Sequence, residues 1–163
     1  MKKVCVLLAD GFEEIEGLTV VDLLRRAKIY VDTISIMDDY IVHGAHGINV
    51  QTEDLFDEVD FDDYIGLFIT GGRSPEYIRM DHKVISLVKC FVRSGKPVAA
   101  ICHAAQVLTA ADVVCGRKLT CYPALAAEVK LAGGNYIEVA PDEAVVDCNL
   151  ITSPAWPGNT AIL

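Results

Sequence analysis

Short apolar runs alternate with longer stretches of helical periodicity along this chain. Continuous apolar runs predict strands buried on both faces, and apolar positions three or four residues apart predict amphipathic helices. The predicted strands are Val4–Ala9, Tyr30–Met37, Ile65–Thr70, Pro97–Ile101 and late strands at Val139, Ala144–Val146 and Leu150–Thr152. The predicted helices are Glu13–Ala27, Lys83–Ser94, Ala104–Val113 and Pro123–Leu131, and Val42–Val50 is predicted to form a hairpin.

This alternation predicts one α/β domain over residues 1–163, with a mainly parallel sheet covered by helices on both faces. In such sheets, ligands bind beyond the carboxyl ends of the strands. Three predicted strands end next to residues that can do chemistry, and we expect those ends to converge. They are Ala9 before the acidic segment 10–16, Thr70 before Gly71-Gly72, and Ile101 before Cys102-His103.

Composition narrows the class of protein. Hydrophobic residues make up 52% of the 163 residues and the formal net charge is −9, so neither disorder nor nucleic-acid binding is expected. The apolar run Val4–Ala9 is too short for a signal peptide, and no run has the length of a membrane span. We therefore expect a cytoplasmic protein without membrane partners. The absence of a phosphate loop, a dinucleotide fingerprint and a metal-ligand pattern predicts no cofactor and no metal.

Cys102 differs from the other cysteines, most of which we interpret as small buried hydrophobic residues. It stands between a predicted strand and a predicted helix, among the small residues Ala99, Ala100, Ala104 and Ala105. Such a turn presents a nucleophile, and the N–H groups that begin the helix stabilise an oxyanion and lower the pKa of a thiol. The alternative is that Cys102 only packs beneath the helix.

Three further groups are candidates for the same site. His103 supplies either its backbone N–H to an oxyanion hole or its imidazole as a base, with a purely structural role as the alternative. Gly71 and Gly72 are candidate oxyanion donors, although paired glycines also occur in ordinary turns. The remaining histidines, His43, His46 and His82, are expected on the surface.

The acids Glu13, Glu14 and Glu16 follow the first strand. They either favour the first turn of the next helix electrostatically or place one carboxyl group against the thiol. We predict Glu16 for that contact, Glu13 as the next choice, and Glu14 in solvent.

At these residues the sequence resembles the ThiJ/PfpI family, the superfamily of the Parkinson-linked DJ protein and of intracellular protease I. The resemblance covers essentially the whole chain and is nearer to the protease I branch, because a histidine follows the cysteine. It rests on the segments Ala9–Glu16, Gly71–Glu76, Ala99–His103, Gly116–Pro123 and Val145–Ser153.

The resemblance implies a three-layer flavodoxin-like fold of the class I glutamine amidotransferase type. It implies Cys102 as the nucleophile, Glu16 hydrogen-bonded to its sulfur, and backbone oxyanion donors at Gly72 and His103. It also implies a homo-oligomer, dimer or hexamer, in which Glu76 orients the His103 of a neighbouring subunit.

Two principal hypotheses of function follow from the resemblance and the residues together. The first is a cysteine-dependent hydrolase or a glyoxalase III-type lyase that acts on a peptide or small-molecule carbonyl. The second is a redox-sensing stress protein or chaperone, in which Cys102 is oxidised to a sulfinate held by protonated Glu16. A binding module with an inert Cys102 is a third alternative.

Four features depart from the family pattern. Thr70 stands where proline usually precedes the paired glycines, and Ala104-Ala105 stands where Gly-Pro or Gly-Ala is usual, which is expected to narrow the pocket. Cys148 replaces a hairpin glycine, so Asn149 is expected to take the positive-φ position. A closing helix is expected after Leu163, and without it part of a sheet face or an interface is expected to be bare.

Overall fold

The computed structural model describes residues 2–163, and its strands build one large sheet and two small ones. The strands are β1 (Lys3–Leu8), β2 (Tyr30–Ser35), β3 (Ile41–His43), β4 (Asn49–Gln51), β5 (Asp54–Leu55), β6 (Tyr64–Ile69), β7 (Val98–Ile101), β8 (Lys118–Leu119), β9 (Asn135–Tyr136), β10 (Val145–Asp147) and β11 (Leu150–Ser153). The α-helices are α1 (Glu14–Arg26), α2 (Ser74–Ile78), α3 (His82–Arg93), α4 (Ala105–Ala110) and α5 (Ala126–Leu131).

The large sheet has the strand order β10-β11-β7-β6-β1-β2-β5. All of its neighbouring strands are parallel except the β10–β11 pair, which is antiparallel. β1, β6 and β7 lie side by side in the middle of the sheet, so their carboxyl ends meet at one edge. The predicted convergence of the three chemistry-bearing strand ends is therefore confirmed.

Alternate side chains of β1 enter two hydrophobic clusters on opposite faces of the sheet. Cys5 and Leu7 join a cluster with residues of α3, α4 and α5, whereas Val6 and Leu8 join a cluster with residues of α1. Helices thus cover both faces, as the predicted three-layer α/β fold requires. Among the helices of residues 2–163, none combines the length and the apolar character needed to cross a bilayer.

The first helix shows how local sequence supports this arrangement. α1 has acids at Glu14 and Glu16 in its first turn and the bases Arg25 and Arg26 in its last, which suits the helix dipole at both ends. Its buried residues Val20 and Val21 face the sheet. Five residues separate the end of β1 at Leu8 from the start of the helix at Glu14, which brings its first turn to the edge where the strand ends converge.

Several elements differ from the prediction. Val139 lies outside the strands, and the two-residue strands β5, β8 and β9 are too short to show an alternating pattern. The five-residue helix α2 was also missed, although Pro75 in its first turn is typical of a helix start.

The β10–β11 turn departs from expectation in its backbone. Cys148 itself takes the positive-φ position, with φ of 53°, so the prediction for Asn149 is wrong. The Asn149 side chain instead donates hydrogen bonds of 2.9 Å to the carbonyls of Val92 and Lys96. A side chain held by two carbonyls fixes the position of Asn149 and leaves the left-handed conformation to its neighbour.

An apolar groove of about 170 Å³ lies on the α1 side of the sheet. Its lining includes Val4 on β1, Phe68 on β6, Ala99 on β7 and Ile151 on β11, together with Leu163. The groove is therefore formed by the face of the central strands next to α1.

Candidate active site

Cys102 occupies a strained turn between β7 and α4. Its φ is +60°, in the left-handed region that non-glycine residues seldom adopt. A single 3-10 turn, Cys102–Ala104, then leads directly into α4. The predicted strand–nucleophile–helix elbow is therefore present, and it holds the thiol at the converging strand ends.

Glu16 lies against the thiol from the first turn of α1. Its side chain is buried, with a relative exposure of 1%, and its Oε2 accepts a 2.8 Å hydrogen bond from the backbone N–H of Gly71. The Cys102 thiol lies beside the same carboxyl group, whose charge acts on the pKa of the thiol. A Cβ at Gly71 would overlap the Glu16 carboxylate and lie 2.7 Å from the Cβ of Cys102, so glycine is needed there. Burial raises the pKa of Glu16 to about 7.

His103 turns its ring toward the sulfur, with 3.2 Å between Nδ1 and Sγ of Cys102. The ring stacks on Tyr122, with 4.5 Å between the centroids and 24° between the planes. Burial lowers the pKa of His103, although the Glu76 charge of the same chain acts in the opposite direction. A neutral imidazole at this distance is able to accept the thiol proton at neutral pH.

The resting cysteine is a thiol. Burial, and then the charge of Glu16, raises the pKa of Cys102 to about 12, and the backbone N–H groups of His103 and Gly72 oppose this only in part. The predicted lowering of the pKa is therefore wrong. The physical reason is that an apolar enclosure penalises the thiolate more than one helix start stabilises it.

Two backbone donors face the sulfur, those of Gly72 and His103. The third predicted donor, Gly71, is occupied because its N–H is bonded to Glu16. Gly72 has φ of +73°, and a Cβ there would lie 2.6 Å from the backbone nitrogen of Glu13, so the donor loop depends on glycine for a second time.

The other two acids of the segment do not contact the sulfur. The Glu13 carboxylate lies 3.5 Å from Nδ1 of His46, and its charge contributes to the raised pKa of Glu16. Glu14 was predicted in solvent, but its relative exposure is only 4% and it binds the β3–β4 hairpin. The prediction failed because the hairpin that covers Glu14 lies some thirty residues further along the chain.

Glu76 lies on α2, where its side chain is exposed and 3.4 Å from Nε of Arg73. Its predicted contact with the His103 of another subunit stays a prediction.

The described chain brings one set of donor atoms to metal-binding separations. These atoms belong to Glu13, Glu14 and His46 and lie within 4.8 Å of one another. Oε1 of Glu14 already accepts the backbone N–H groups of His46 and Ile48, and Oε2 lies 2.9 Å from Nδ1 of His46. This cluster therefore functions in the structure as a contact between two chain segments.

Tyr122 is the residue at the site that the sequence interpretation did not assign. It follows Cys121 in the resemblance segment Gly116–Pro123, and its backbone N–H donates to the Cys102 carbonyl at 3.1 Å. An aromatic residue inside a family-specific segment was the available signal.

The structure explains one departure from the family pattern and leaves a second, Thr70, without an explanation. Ala104 and Ala105 belong to the core cluster on the α3–α4–α5 side of the sheet, so their methyl groups pack into the core and do not narrow the pocket. Thr70 is fully buried, and its hydroxyl has no hydrogen-bond partner in the described part of the chain.

The model of the DJ-1/PfpI family matches residues 2–162. The chain is 40% identical over 157 residues to protein/nucleic acid deglycase 2 of Escherichia coli, covering 96% of this chain and 90% of that protein. It is 37% identical to the putative cysteine protease YraA of Bacillus subtilis, covering 93% and 88%.

Two further similarities concern a longer protein and a solved structure. The chain is 37% identical to protein DJ-1 homolog D of Arabidopsis thaliana, covering 97% of this chain but only 45% of that protein. The crystal structure of a cysteine-to-alanine mutant of the DJ-1 superfamily protein STM1931 from Salmonella typhimurium superposes with a TM-score of 0.86 at 32% identity. That match covers 98% of this chain and 84% of the solved chain.

Proposed function

Because the chain belongs to the DJ-1/PfpI family, we propose that it is a cysteine-dependent enzyme of the deglycase or hydrolase type. Its substrate is a small-molecule or peptide carbonyl compound, and its nucleophile is Cys102. The 3.2 Å contact between the thiol and Nδ1 of His103 is the observation that carries this proposal. The names of the E. coli and B. subtilis relatives support the same class of reaction.

Catalysis begins with a proton transfer within the Cys102–His103 pair. Nδ1 of the neutral His103 takes the thiol proton as the sulfur attacks the carbonyl carbon, so no free thiolate has to exist beforehand. The carbonyl oxygen gains negative charge and is held by the N–H groups of Gly72 and His103. The imidazolium then returns its proton to the leaving group or to the oxyanion.

Glu16 sets the charge of the pocket during this step. A carboxylate beside a developing thiolate would repel it, whereas a carboxylic acid donates a hydrogen bond to it. With a pKa of about 7, Glu16 holds a proton in a large part of the molecules at neutral pH. The acid form is therefore the form in which Glu16 favours nucleophilic attack.

The structure favours this enzyme over a redox sensor. Oxidation to sulfenate and sulfinate follows thiolate character and exposure. Cys102 is buried, with 9% relative exposure, and its pKa is raised to about 12, so both properties disfavour selective oxidation.

The proposal also covers the oligomeric state of the protein and its cellular compartment. Because the Glu76 side chain is exposed, a second copy of the chain is able to present its Glu76 to His103, as expected for a dimer or hexamer. The six cysteines are free, which suits a reducing compartment, and we propose that the enzyme is cytoplasmic. Besides Cys102, only Cys5 and Cys121 among these six are buried, so the expectation of a small buried residue is wrong for the exposed Cys90, Cys115 and Cys148.

The test compares wild-type protein with Cys102→Ser and, as a matched thiol control, Cys90→Ser on the exposed side of α3. Each protein is assayed with methylglyoxal, with a methylglyoxal-modified thiol or amine, and with unmodified peptides. We expect turnover of at least one carbonyl substrate by the wild type and Cys90→Ser, and none by Cys102→Ser. Equal turnover by Cys102→Ser would overturn the assignment of the nucleophile.

A further inference from the structure

Three backbone segments form a narrow ribbon beside Cys102. Phe12 makes a parallel bridge with Gly44 of the hairpin on one side and an antiparallel bridge with Gly72 on the other. The Phe12 carbonyl accepts from Ala45 at 2.9 Å. On the inner side, the Gly11 carbonyl accepts from Arg73 at 2.8 Å. The β3–β4 hairpin is thus the outer edge of this ribbon, and the backbone donor Gly72 is its inner edge.

Glu14 fastens the outer edge. Its Oε1 accepts the backbone N–H groups of His46 at 2.6 Å and of Ile48 at 3.3 Å, and its Oε2 lies 2.9 Å from Nδ1 of His46. A Cβ at Gly44 would overlap this carboxylate, so the hairpin is wrapped closely around it. Hydrogen bonds to an ionised and buried acceptor are among the stronger ones in proteins.

A second acid holds the same hairpin more weakly. Asp10 accepts the backbone N–H of His43 at 2.9 Å and lies 3.3 Å from its ring nitrogen. The Asp10 side chain is 36% exposed, whereas the Glu14 side chain is 5% exposed. Glu14 is therefore the principal side-chain attachment of the hairpin to the segment that precedes α1, beside two backbone hydrogen bonds, from the Gly11 N–H to the His43 carbonyl at 2.7 Å and from the Ala45 N–H to the Phe12 carbonyl at 2.9 Å.

We propose that Glu14 is a positioning residue for the reaction, which holds the hairpin on the Gly11–Phe12 segment and thereby fixes the Gly72 N–H beside Cys102. This inference rests on the proposed function, because it assigns a role to a residue that does not touch the substrate. Gly72 has no side chain to anchor it, and its backbone is positioned by its pairing with Phe12. Complete loss of one oxyanion donor costs about 10²–10³ in kcat, and a displaced donor costs less.

The experiment uses Glu14→Ala and Glu14→Gln, with Glu58→Gln as the control. Glu58 accepts the Tyr40 hydroxyl just before β3, so its variant removes an exposed carboxylate from the other end of the hairpin. We expect Glu14→Ala to lower kcat roughly tenfold while KM changes less than about threefold, because the donor acts mainly on the transition state. Glu14→Gln keeps one acceptor oxygen and is expected to lose about threefold in kcat. Glu58→Gln is expected to match the wild type.

Alkylation of Cys102 by iodoacetamide gives a second readout that needs no substrate. The Gly72 N–H stabilises the thiolate, so a displaced donor raises the thiol pKa and slows alkylation at pH 8. If the substitution only made the site more flexible, iodoacetamide would reach the Cys102 thiol more easily and alkylation would be faster. We expect slower alkylation of Glu14→Ala, by about threefold, and an intermediate rate for Glu14→Gln.

Unchanged or faster alkylation of the Glu14 variants, or an equal effect of Glu58→Gln, overturns the proposal. If Glu14→Ala does not fold, the alkylation rate of Glu14→Gln decides alone. If the wild type turns over no carbonyl substrate, the proposed function fails while the alkylation rates still test the positioning role.

Discussion

The turn after β7 and the turn after β1 meet at the same sulfur but contribute different things to it. The β7 turn supplies the two groups proposed to react, the Cys102 thiol and the His103 ring, which are neighbours in sequence and 3.2 Å apart in space. The β1 turn supplies four acids, of which only Glu16 faces the thiol, while Asp10 and Glu14 bind the hairpin and Glu13 lies beside His46. A local motif thus provides the chemistry, and long-range contacts provide its charge environment and its geometry.

The largest expected effect belongs to the β7 turn. His103→Gln removes the base that accepts the thiol proton, and because the thiol has a raised pKa it cannot ionise unaided at neutral pH. We expect kcat to fall by about 10²–10³-fold on whichever carbonyl substrate the wild type uses. Steady-state kinetics at pH 7 measure this, with the exposed His82→Gln as the matched control.

This prediction also tests whether the two turns have separate roles. If the activity of His103→Gln recovers when the pH is raised toward 10, hydroxide replaces the missing base and His103 acts in proton transfer. An activity that stays flat with pH would assign His103 to binding and contradict the mechanism.

The second prediction concerns the buried acid of the β1 turn. Burial raises the pKa of Glu16 from 4.5 to about 7, so the folded protein holds this proton more tightly than the unfolded chain does. The contribution of protonated Glu16 to the stability of the folded protein is complete below pH 4.5 and is lost as the pH rises through 7. At pH 8 the buried charge then costs about 3 kcal/mol relative to pH 4.5.

Glu16→Gln removes that charge and keeps the shape of the side chain. We expect its free energy of unfolding to exceed that of the wild type at pH 8 and the difference to shrink toward pH 5, as measured by urea titration. Its kcat is expected to fall, because an amide is a weaker donor to the developing thiolate than a carboxylic acid. A stability difference independent of pH would contradict the raised pKa.

The third prediction returns to the β7 turn and to the stack between His103 and Tyr122. Aromatic stacking of this kind contributes about 0.5–1.5 kcal/mol, which corresponds to a two- to tenfold effect if the stack orients the base. We expect the kcat of Tyr122→Leu to be about two- to tenfold lower than that of the wild type. Tyr122→Phe keeps the ring, and its kcat is expected to equal that of the wild type. Equal losses in both variants would assign the effect to the hydroxyl group instead.

The two turns also differ in how far the sequence could predict them. The elbow at Cys102 was predictable, because a buried strand, a nucleophile and small residues follow one another without interruption. The burial of Glu14 and the stacking of Tyr122 were not, since these contacts join residues 32 and 19 positions apart, and no local sequence pattern relates the two partners to each other. The prediction of a lowered thiol pKa was wrong for a related reason. Burial of Cys102 raises its pKa, and that burial depends on how the helices and the sheet pack together.

The smallest expected effect concerns the contact between Glu14 of the β1 turn and His46 of the β3–β4 hairpin. The hydrogen bond to Glu14 raises the pKa of His46. Burial acts to raise the pKa of Glu14, but hydrogen bonds from His46 and the backbone lower it overall. The contribution of protonated His46 to the stability of the folded protein is complete below pH 6.5 and is lost as the pH rises through its raised pKa. That of Glu14 is present above pH 4.5 and is lost as the pH falls through its lowered pKa.

The ion pair therefore stabilises the fold most between about pH 5 and 6.5. We expect His46→Gln to lower the melting temperature at pH 6 by a small amount and to leave it unchanged at pH 8.5, measured by differential scanning calorimetry. His82→Gln, which removes an exposed histidine from the start of α3, is the control. A deficit of the same size at both pH values would mean that the His46 side chain acts through uncharged contacts, such as the hydrogen bond of its neutral ring to Glu14, because the backbone N–H is unchanged in the variant. The attachment of the hairpin would then depend on the Glu14 carboxylate without any help from the charge of the imidazole.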